Sequence, residues 1–456
     1  MRRQRKEKRI SKPENIFLII AVVLGLAFAV FQPLFIEPDA SYHFDSATYI
    51  SNTVVNRAKV GFPAEDYQST PVPFTTVSTM MKKGTYFKNF FETKLPIISH
   101  SKVESRIVQL SWRNKLMHSV AALGVKIGHM IYPSIGAMII TARIFNLIFF
   151  IVAMYFIIKK LKVYQWLFVF VSLTPTVIQF VTSLSYDCFN YIVCAWLIAT
   201  LLNLAADIKA EKELTIKKFF LRIILPSIAV YSSKENSILL FILVAGMLIY
   251  LIGKKLKISL SKLQIALGSS FIFILGVVYF FMRYHAHLYL IAGKFFYTFL
   301  EPYYTVLTTE VISGTNTAGV PAWLFAVQFA VLILLLLSYT KEAIPRWFAW
   351  LSFAVAALNL FGILLQYAVN SSYLTDATIT GPQGRYFTVF ILLLPGIFTL
   401  LSQKISVKSG AWLKKLVVFV IVFVLTINLS VTAVKFYHLQ LPADEYRSGV
   451  THYIFK

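Results

Sequence analysis

The segment FIEPDASYHFDSATYIS places Glu37, Asp39, His43 and Asp45 within nine residues, directly after a long apolar run. A carboxylate at the edge of low-dielectric surroundings can take the proton from an attacking hydroxyl, which is general-base work. Asp39 leads that reading, with His43 or Asp45 orienting the group. The plainer reading is that these acids stop a helix and solvate its end. Four further polar sites interrupt apolar text: Arg143 in TARIFN, Asp187 and Asn190 in SLSYDCFN, Lys234 and Glu235 in YSSKENS, and Arg385 in TGPQGRYF. An Arg can pair bidentately with a phosphate, and a Lys can meet it as a point charge. Lys234 and Glu235 either neutralise one another or help hold an anion.

The elements that must position these residues follow from composition. Of 456 residues only 14% are charged and 57% are apolar or aromatic, against roughly 25% charged in soluble domains. A water-soluble globule is excluded. The formal charge is +24, from 44 Lys and Arg against 20 Asp and Glu. The basic residues fall in short clusters between apolar stretches of a length that crosses about 30 Å of hydrocarbon, so nucleic acid is not needed to explain them. The reading is an all-α polytopic membrane protein.

The N-terminus MRRQRKEKRISK holds seven basic residues and one acid, ahead of an apolar run over 16–36. That run is longer than the about 7 to 15 residues of a signal-peptide core and lacks a small-x-small site after it. It reads as an uncleaved first span with its basic end inside. Further spans are expected near 134–158, 164–183, 187–206, 217–233, 236–252, 262–282, 321–340, 347–369, 385–402 and 415–434. About eleven spans put the N-terminus inside and the C-terminus outside. The loops with Lys159, Lys160 and Lys162, then Lys209 to Lys218, Lys254, Lys255, Lys257 and Lys262, Lys341 and Arg346, and Lys404, Lys408, Lys414 and Lys415 then all share the N-terminal side, as the positive-inside rule asks. The interruption at Lys234 and Glu235 leaves 217–252 as either two full spans or a re-entrant pair.

With no internal repeat, the chain 1–456 reads as one integral membrane domain with two long outer segments. The first, 37–132, is too long for a mere connector and must carry structure of its own. Within it Leu116, Val120, Leu123 and Ile127 repeat at helical spacing with Arg113, Lys115, His118 and Lys126 between them. That is an amphipathic helix, lying on the membrane surface or packed on other spans. The second segment, 283–320, is rich in Phe295, Phe296, Tyr297, Phe299, Tyr303 and Tyr304, an interfacial belt or the lining of a substrate groove. By this threading Asp39, Asp187, Lys234 and Arg385 all reach the outer interface. Arg143 falls about nine residues into the second span, where a charge costs at least about 2.5 kcal/mol and calls for a partner.

Weaker signals carry less. Cys188 and Cys194 sit six residues apart on one helix and point different ways, so no bridge is expected. His285 and His287 face apart on a helix with no third ligand evident. Asn370, Ser371 and Ser372 fit a glycosylation acceptor by pattern only.

EPDASYHFDSATYIS, TARIFN, SYDCFN and PQGRYF, in this order, resemble a bacterial family of polytopic membrane proteins of unknown function, whose markers are PDE-x-x-HF, an Arg in the second span, SYD-x-x-N and QGRY. The resemblance spans about residues 15 to 400. The family looks allied to the GT-C membrane glycosyltransferases, so the resemblance implies a GT-C-like fold. It further implies an inverting transfer of a sugar from a polyprenyl-phosphate donor to a hydroxyl of a cell-envelope glycan on the outer face of the plasma membrane. In that superfamily the acid just after the first span serves as base, which carries over to Asp39. Ala40 stands where the family usually has Glu, which weakens a two-carboxylate or metal-bound site and leaves Asp45 or Glu37 as substitutes. Two or three carboxylates at an interface are compatible with a divalent cation or with none.

In this reading Asp39 takes the acceptor's proton, and Arg385, assisted by Lys234 or Arg143, stabilises the charge growing on the leaving lipid phosphate. Glu37, Asp187 and Asn190 complete the substrate contacts, and membrane lipids surround the chain. The competing class is a transporter or flippase of a lipid-linked saccharide, which would show repeated halves and a site near the midplane on broken helices. A non-catalytic scaffold of an envelope-polymer machine is the third.

Overall fold

The computed structural model describes residues 12–60, 83–98, 109–256, 281–300, 310–314, 323–370, 376–402 and 410–437, with a few single positions between them. The basic N-terminus up to residue 11, most of 262–282, Tyr303, Tyr304, Ser371, Ser372, Lys257, Lys262, Lys404 and Lys408 lie outside the described residues.

Helix α1 (Pro13–Phe31) starts with Pro at its first turn, where the missing N–H costs nothing. It ends before Pro33, which cannot continue a helix. The following segment leads into α2 (Ala40–Ile50). After it come α3 (Trp112–Met117) and α4 (Ser119–Ile131), then α5 (Ile135–Lys160), whose first turn is capped by Ser134 accepting from the Ala137 N–H. Helices α4 and α5 pack as a tight hairpin. At Gly124 and Gly128 a Cβ would come within 2.5 Å of α5 backbone atoms, so only glycine allows this approach. The amphipathic stretch is therefore packed on a span through its small residues, while Leu116 and Leu123 of the apolar stripe are exposed.

The stretch expected as one span over 164–183 is two short helices, α6 (Gln165–Ser172) and α7 (Pro175–Val181). Pro175 lacks the N–H that would carry the first through, and it suits the first turn of the second. Helix α8 (Asp187–Lys209) runs unbroken. Helix α9 (Ile216–Tyr231) has 16 residues, about 24 Å of rise, which is short of a full crossing. A 3₁₀ turn, Glu235–Leu240, leads into α10 (Phe241–Lys255), and together these are long enough to cross. Helix α11 (Leu288–Leu300) is the described part of the aromatic segment. Then follow α12 (Trp323–Leu337), α13 (Arg346–Ala368), α14 (Arg385–Thr388), α15 (Pro395–Ser402) and α16 (Ala411–Tyr437).

The chain is an α-helical, multi-pass membrane protein. Among the described residues six helices are long and apolar enough to span: α1, α5, α8, α10 with its 3₁₀ turn, α13 and α16. The stretch 385–402 makes a seventh if its two halves, bent by 51°, count as one. The expected eleven exceed this because Pro175 divides 164–183, because 217–233 and 321–340 hold helices of only 16 and 15 residues, and because 262–282 falls largely outside the described residues.

One large apolar core joins α1, α5 to α8, α12, α13 and α16. A second, smaller core lies beside the end of α1, built by Phe35, Phe44 and Phe90 with Val125 of α4 and Met138 of α5. It belongs to the first long segment and is what holds that segment's polar residues in place.

Candidate functional site

The last carbonyls of α1 have no partner within the helix. Arg143 of α5 supplies one: its guanidinium donates to the Ala29 carbonyl at 3.5 Å, just past the helix to those of Gln32 and of Pro33, the latter at 3.0 Å, and to both Glu37 oxygens at 3.1 Å. A cation at a helix C-terminus also meets the favourable end of the dipole. Arg143, the ninth residue of α5, is thus level with the end of α1, and it is fully buried. Arg143 and Glu37, both expected as substrate contacts, are paired with each other at this turn. Their contacts tie the turn after α1 to α5.

That turn holds Phe35 at φ 61° and Asp39 at φ 58°, a left-handed conformation costing about 1–2 kcal/mol for an ordinary L-residue and more accessible to Asp than to most. Asp39 precedes α2 without capping it through its side chain. Its carboxylate, 56% exposed, is left for a distant partner, and Oδ2 meets Arg385 Nη2 at 3.2 Å.

Arg385 opens α14 and joins Asp39 to Asp187, whose Oδ2 lies 2.9 Å from its Nε. Asp187 in turn pairs through Oδ1 with Lys234 and accepts from the Ser185 hydroxyl at 2.9 Å. Lys234 lies between two rings, 4.5 Å from the centre of Tyr186 and 4.6 Å from that of Tyr386. Burial pulls the Lys234 ammonium's pKa down, against the pull of Asp187. Asp39, Asp187, Lys234 and Arg385 therefore form one connected network. Lys234 takes Asp187 as its partner and not the adjacent Glu235, because the 3₁₀ turn that follows sends Glu235 into solvent.

The other expected residues lie around this network. Asp45 is paired with Arg57 at 3.0 Å, both side chains 2% exposed, so it is closed off and unsuited to replace Asp39. Asn190 accepts from Ser237 at 2.8 Å, which ties the turn after Lys234 to α8. His43 is buried, with Nδ1 2.9 Å from Nε2 of His118, whose own Nδ1 lies 2.8 Å from the Asn114 carbonyl. A carbonyl only accepts, so His118 donates from Nδ1, accepts at Nε2 and receives the His43 Nδ1 proton. The order of donors leaves His43 Nε2 unprotonated, buried and without a hydrogen-bond partner among the described residues. Burial drives both pKa values down, His118 to about 4. Both rings pack edge-on against Tyr186, at 4.9 and 5.3 Å.

Beside the network a cleft of about 380 Å³ is walled by Lys234, Tyr186 and Tyr386 on one side and by Arg113, Asn114 and Gln366 among others. Sequence reasoning missed its aromatic walls, though Tyr186 and Tyr386 adjoin the two residues it named. Arg113 and His118 were read only as polar punctuation of a helix. Nothing local marks His118, because its partner lies 75 positions away.

Among the described residues no three His, Cys, Asp or Glu side chains gather as metal ligands. The carboxylates of Asp39 and Asp187 already face Arg385 and Lys234, a donor set in which cations occupy the room a divalent ion would need. The residues present do not fit such an ion.

No curated protein and no solved structure matches the chain. Residues 22–394 match the family described as predicted membrane protein (DUF2142), a membrane family of unknown function. With most of its length and the whole charged network inside that match, the chain belongs to the DUF2142 family.

Proposed function

We propose that the chain is a GT-C-type glycosyltransferase of the bacterial plasma membrane, moving a sugar from a polyprenyl-phosphate donor to a cell-envelope glycan on the outer face. The observation that carries this reading is the convergence of Asp39, Asp187, Lys234 and Arg385 beside a polar cleft. Asp39 Oδ2 faces Arg385, while its Oδ1 has no partner among the described residues and stands ready to accept a proton. In the transfer the acceptor oxygen bonds to the anomeric carbon and its proton passes to Asp39. The bond from that carbon to the phosphate oxygen breaks, and its electron pair leaves with the lipid phosphate. Lys234 and Arg385 stabilise that growing charge, held in advance by Asp187 so that no reorganisation is needed at the moment of transfer. Arg143 acts indirectly, by fixing the turn that presents Asp39.

A transport reading would look to the broken helices, since half-helix ends build midplane sites. Leu173 and Thr174 at one break and Leu394 at the other carry no charge; Arg385 stands at the start of the second broken stretch, nine residues before its break, where it meets Asp39 and Asp187, so transfer is the better reading. The test is Asp39→Asn in protein reconstituted in lipid with a panel of polyprenyl-phosphate sugars. Loss of the base lowers transfer by about 10²–10⁴-fold while donor binding persists. Transfer at the unmodified rate by a well-folded Asp39→Asn protein overturns the assignment.

A further inference from the structure

The cleft beside the network contains a cation that the transfer chemistry does not use. Arg113 is partly buried, and the centre of its guanidinium lies 4.5 Å from the centre of the Tyr231 ring and 5.6 Å from that of Trp112. These ring contacts hold the guanidinium by cation–π attraction and leave its N–H edge unused. Among the described residues Arg113 donates no hydrogen bond and has no carboxylate partner. The more deeply buried cations around it each have one: Arg143 has Glu37, Arg57 has Asp45, Lys234 has Asp187, and Arg385 has Asp39 and Asp187, whereas Lys115 and Lys126 of the same segment are exposed to solvent. Glu235 stands on the rim of the same cleft, exposed and without an ion pair among the described residues.

The walls show what kind of molecule would bring the missing anion. Asn114, Asn236, Gln366, Ser111 and Ser233 offer amides and hydroxyls, and Tyr367 adds a ring to those of Tyr186 and Tyr386. Ring faces that stack on C–H surfaces, with amides around them to bond hydroxyls, suit a saccharide. An isoprenoid chain would need an apolar channel, and of the cleft's lining only Met117 and Ile363 are aliphatic or thioether side chains. A planar guanidinium with a free edge pairs with a carboxylate or a phosphate through two parallel hydrogen bonds.

We propose that the cleft takes a saccharide carrying an oxyanion, either a carboxylate or a phosphate, and that Arg113 receives that group. The proposal rests on the transferase reading and refines it: the acceptor glycan is acidic, and its charged substituent seats on Arg113 while its hydroxyl is directed toward Asp39.

The test uses the full chain in lipid nanodiscs and saturation-transfer NMR with methyl glucuronide, glucose 6-phosphate and methyl glucoside as probes. A charge-assisted pair of about 1.5–3 kcal/mol gives the fitting acidic probe about a 10–100-fold preference over the neutral glucoside. Which acidic probe shows it distinguishes carboxylate from phosphate. Arg113→Gln abolishes the preference, and Arg113→Lys, which keeps the charge but not the fork, retains only part of it; a thermal melt of each variant confirms folding. Equal binding of acidic and neutral probes, no binding of any of them, or a preference unchanged in Arg113→Gln overturns the proposal. So does Arg113-dependent binding of farnesyl phosphate without any saccharide preference, since the anion would then belong to the lipid. Sugar transfer to a neutral glycan with no acidic preference removes this inference and leaves the transferase standing. An Arg113-dependent acidic preference with no donor consumed does the reverse.

Discussion

Helix α8 carries a carboxylate toward each end, and the two are treated differently. Asp207, near its C-terminus, is met by Lys162 at 2.6 Å, Arg222 at 3.0 Å and Lys212 at 3.5 Å, cations whose side chains are 43, 50 and 65% exposed. Asp187, in the first turn, is met by Arg385 and Lys234, which are only 5 and 13% exposed. A carboxylate near a helix C-terminus opposes the dipole, so Asp207 needs cations merely to be tolerated, whereas at the N-terminus Asp187 is favoured already. Cations on long exposed stems are screened and interchangeable, and such pairs add little to stability. Burying cations is costly even when they are paired, so the Asp187 end sustains a penalty that packing alone does not require. Buried, costly charge beside a cleft is the pattern of a site; exposed charge around one acid is the pattern of a fastener.

The largest expected effect separates the two ends directly. Asp187→Asn leaves Lys234 and Arg385 without their shared counter-charge and lowers stability by about 3–5 kcal/mol, while Asp207→Asn changes it by about 1 kcal/mol or less. Thermal melts of both variants in one detergent check this, and equal losses would break the contrast.

An intermediate effect comes from pH. His43 and His118 have pKa values below the ordinary 6.5 in the folded protein, His118 at about 4, because they are buried. Above pH 6.5 both are neutral, folded or unfolded, and stability is level. As pH falls from 6.5 toward 4 the unfolded chain takes up protons that the folded one refuses, so stability falls, by at most about 1.4 kcal/mol per pH unit for each histidine. Melting temperature followed over that window should drop, and a His43→Gln/His118→Gln protein should show a flatter profile; an unaltered slope would mean that the buried pair is not its source.

The smallest effect belongs to the exposed end. Arg222→Ala should cost about 0.2–1 kcal/mol, and the difference should shrink in high salt, as measured by melts at low and high ionic strength. A loss as large as that of Asp187→Asn would make both ends alike.

Much of the charged network's membership was legible before its wiring. Asp39, Asp187, Lys234 and Arg385 stand out because charge is rare in apolar text, and costly residues are seldom idle there. Arg143 stood out for the same reason, and the partner its cost calls for is Glu37 with the carbonyls at the end of α1. The cost of a charge can be read from one position. Which group offsets it depends on where another helix ends. Helix length is illegible for a related reason: hydropathy registers Pro175 as one residue among many, whereas in three dimensions its missing N–H divides the stretch 164–183 into two helices.

The sequence by itself determined that this chain is an α-helical membrane protein, which charged residues interrupt its apolar text, and that they fall near the ends of apolar runs. These are local properties, set by transfer energy and helical period. Only the tertiary structure decided that Asp39 meets Arg385 across 346 positions, that Lys234 passes over Glu235 for Asp187, that Asp45 is closed off by Arg57, and that Arg113 is left facing a cleft. Such pairings follow from the packing of distant helices, and packing is a property of the whole chain at once.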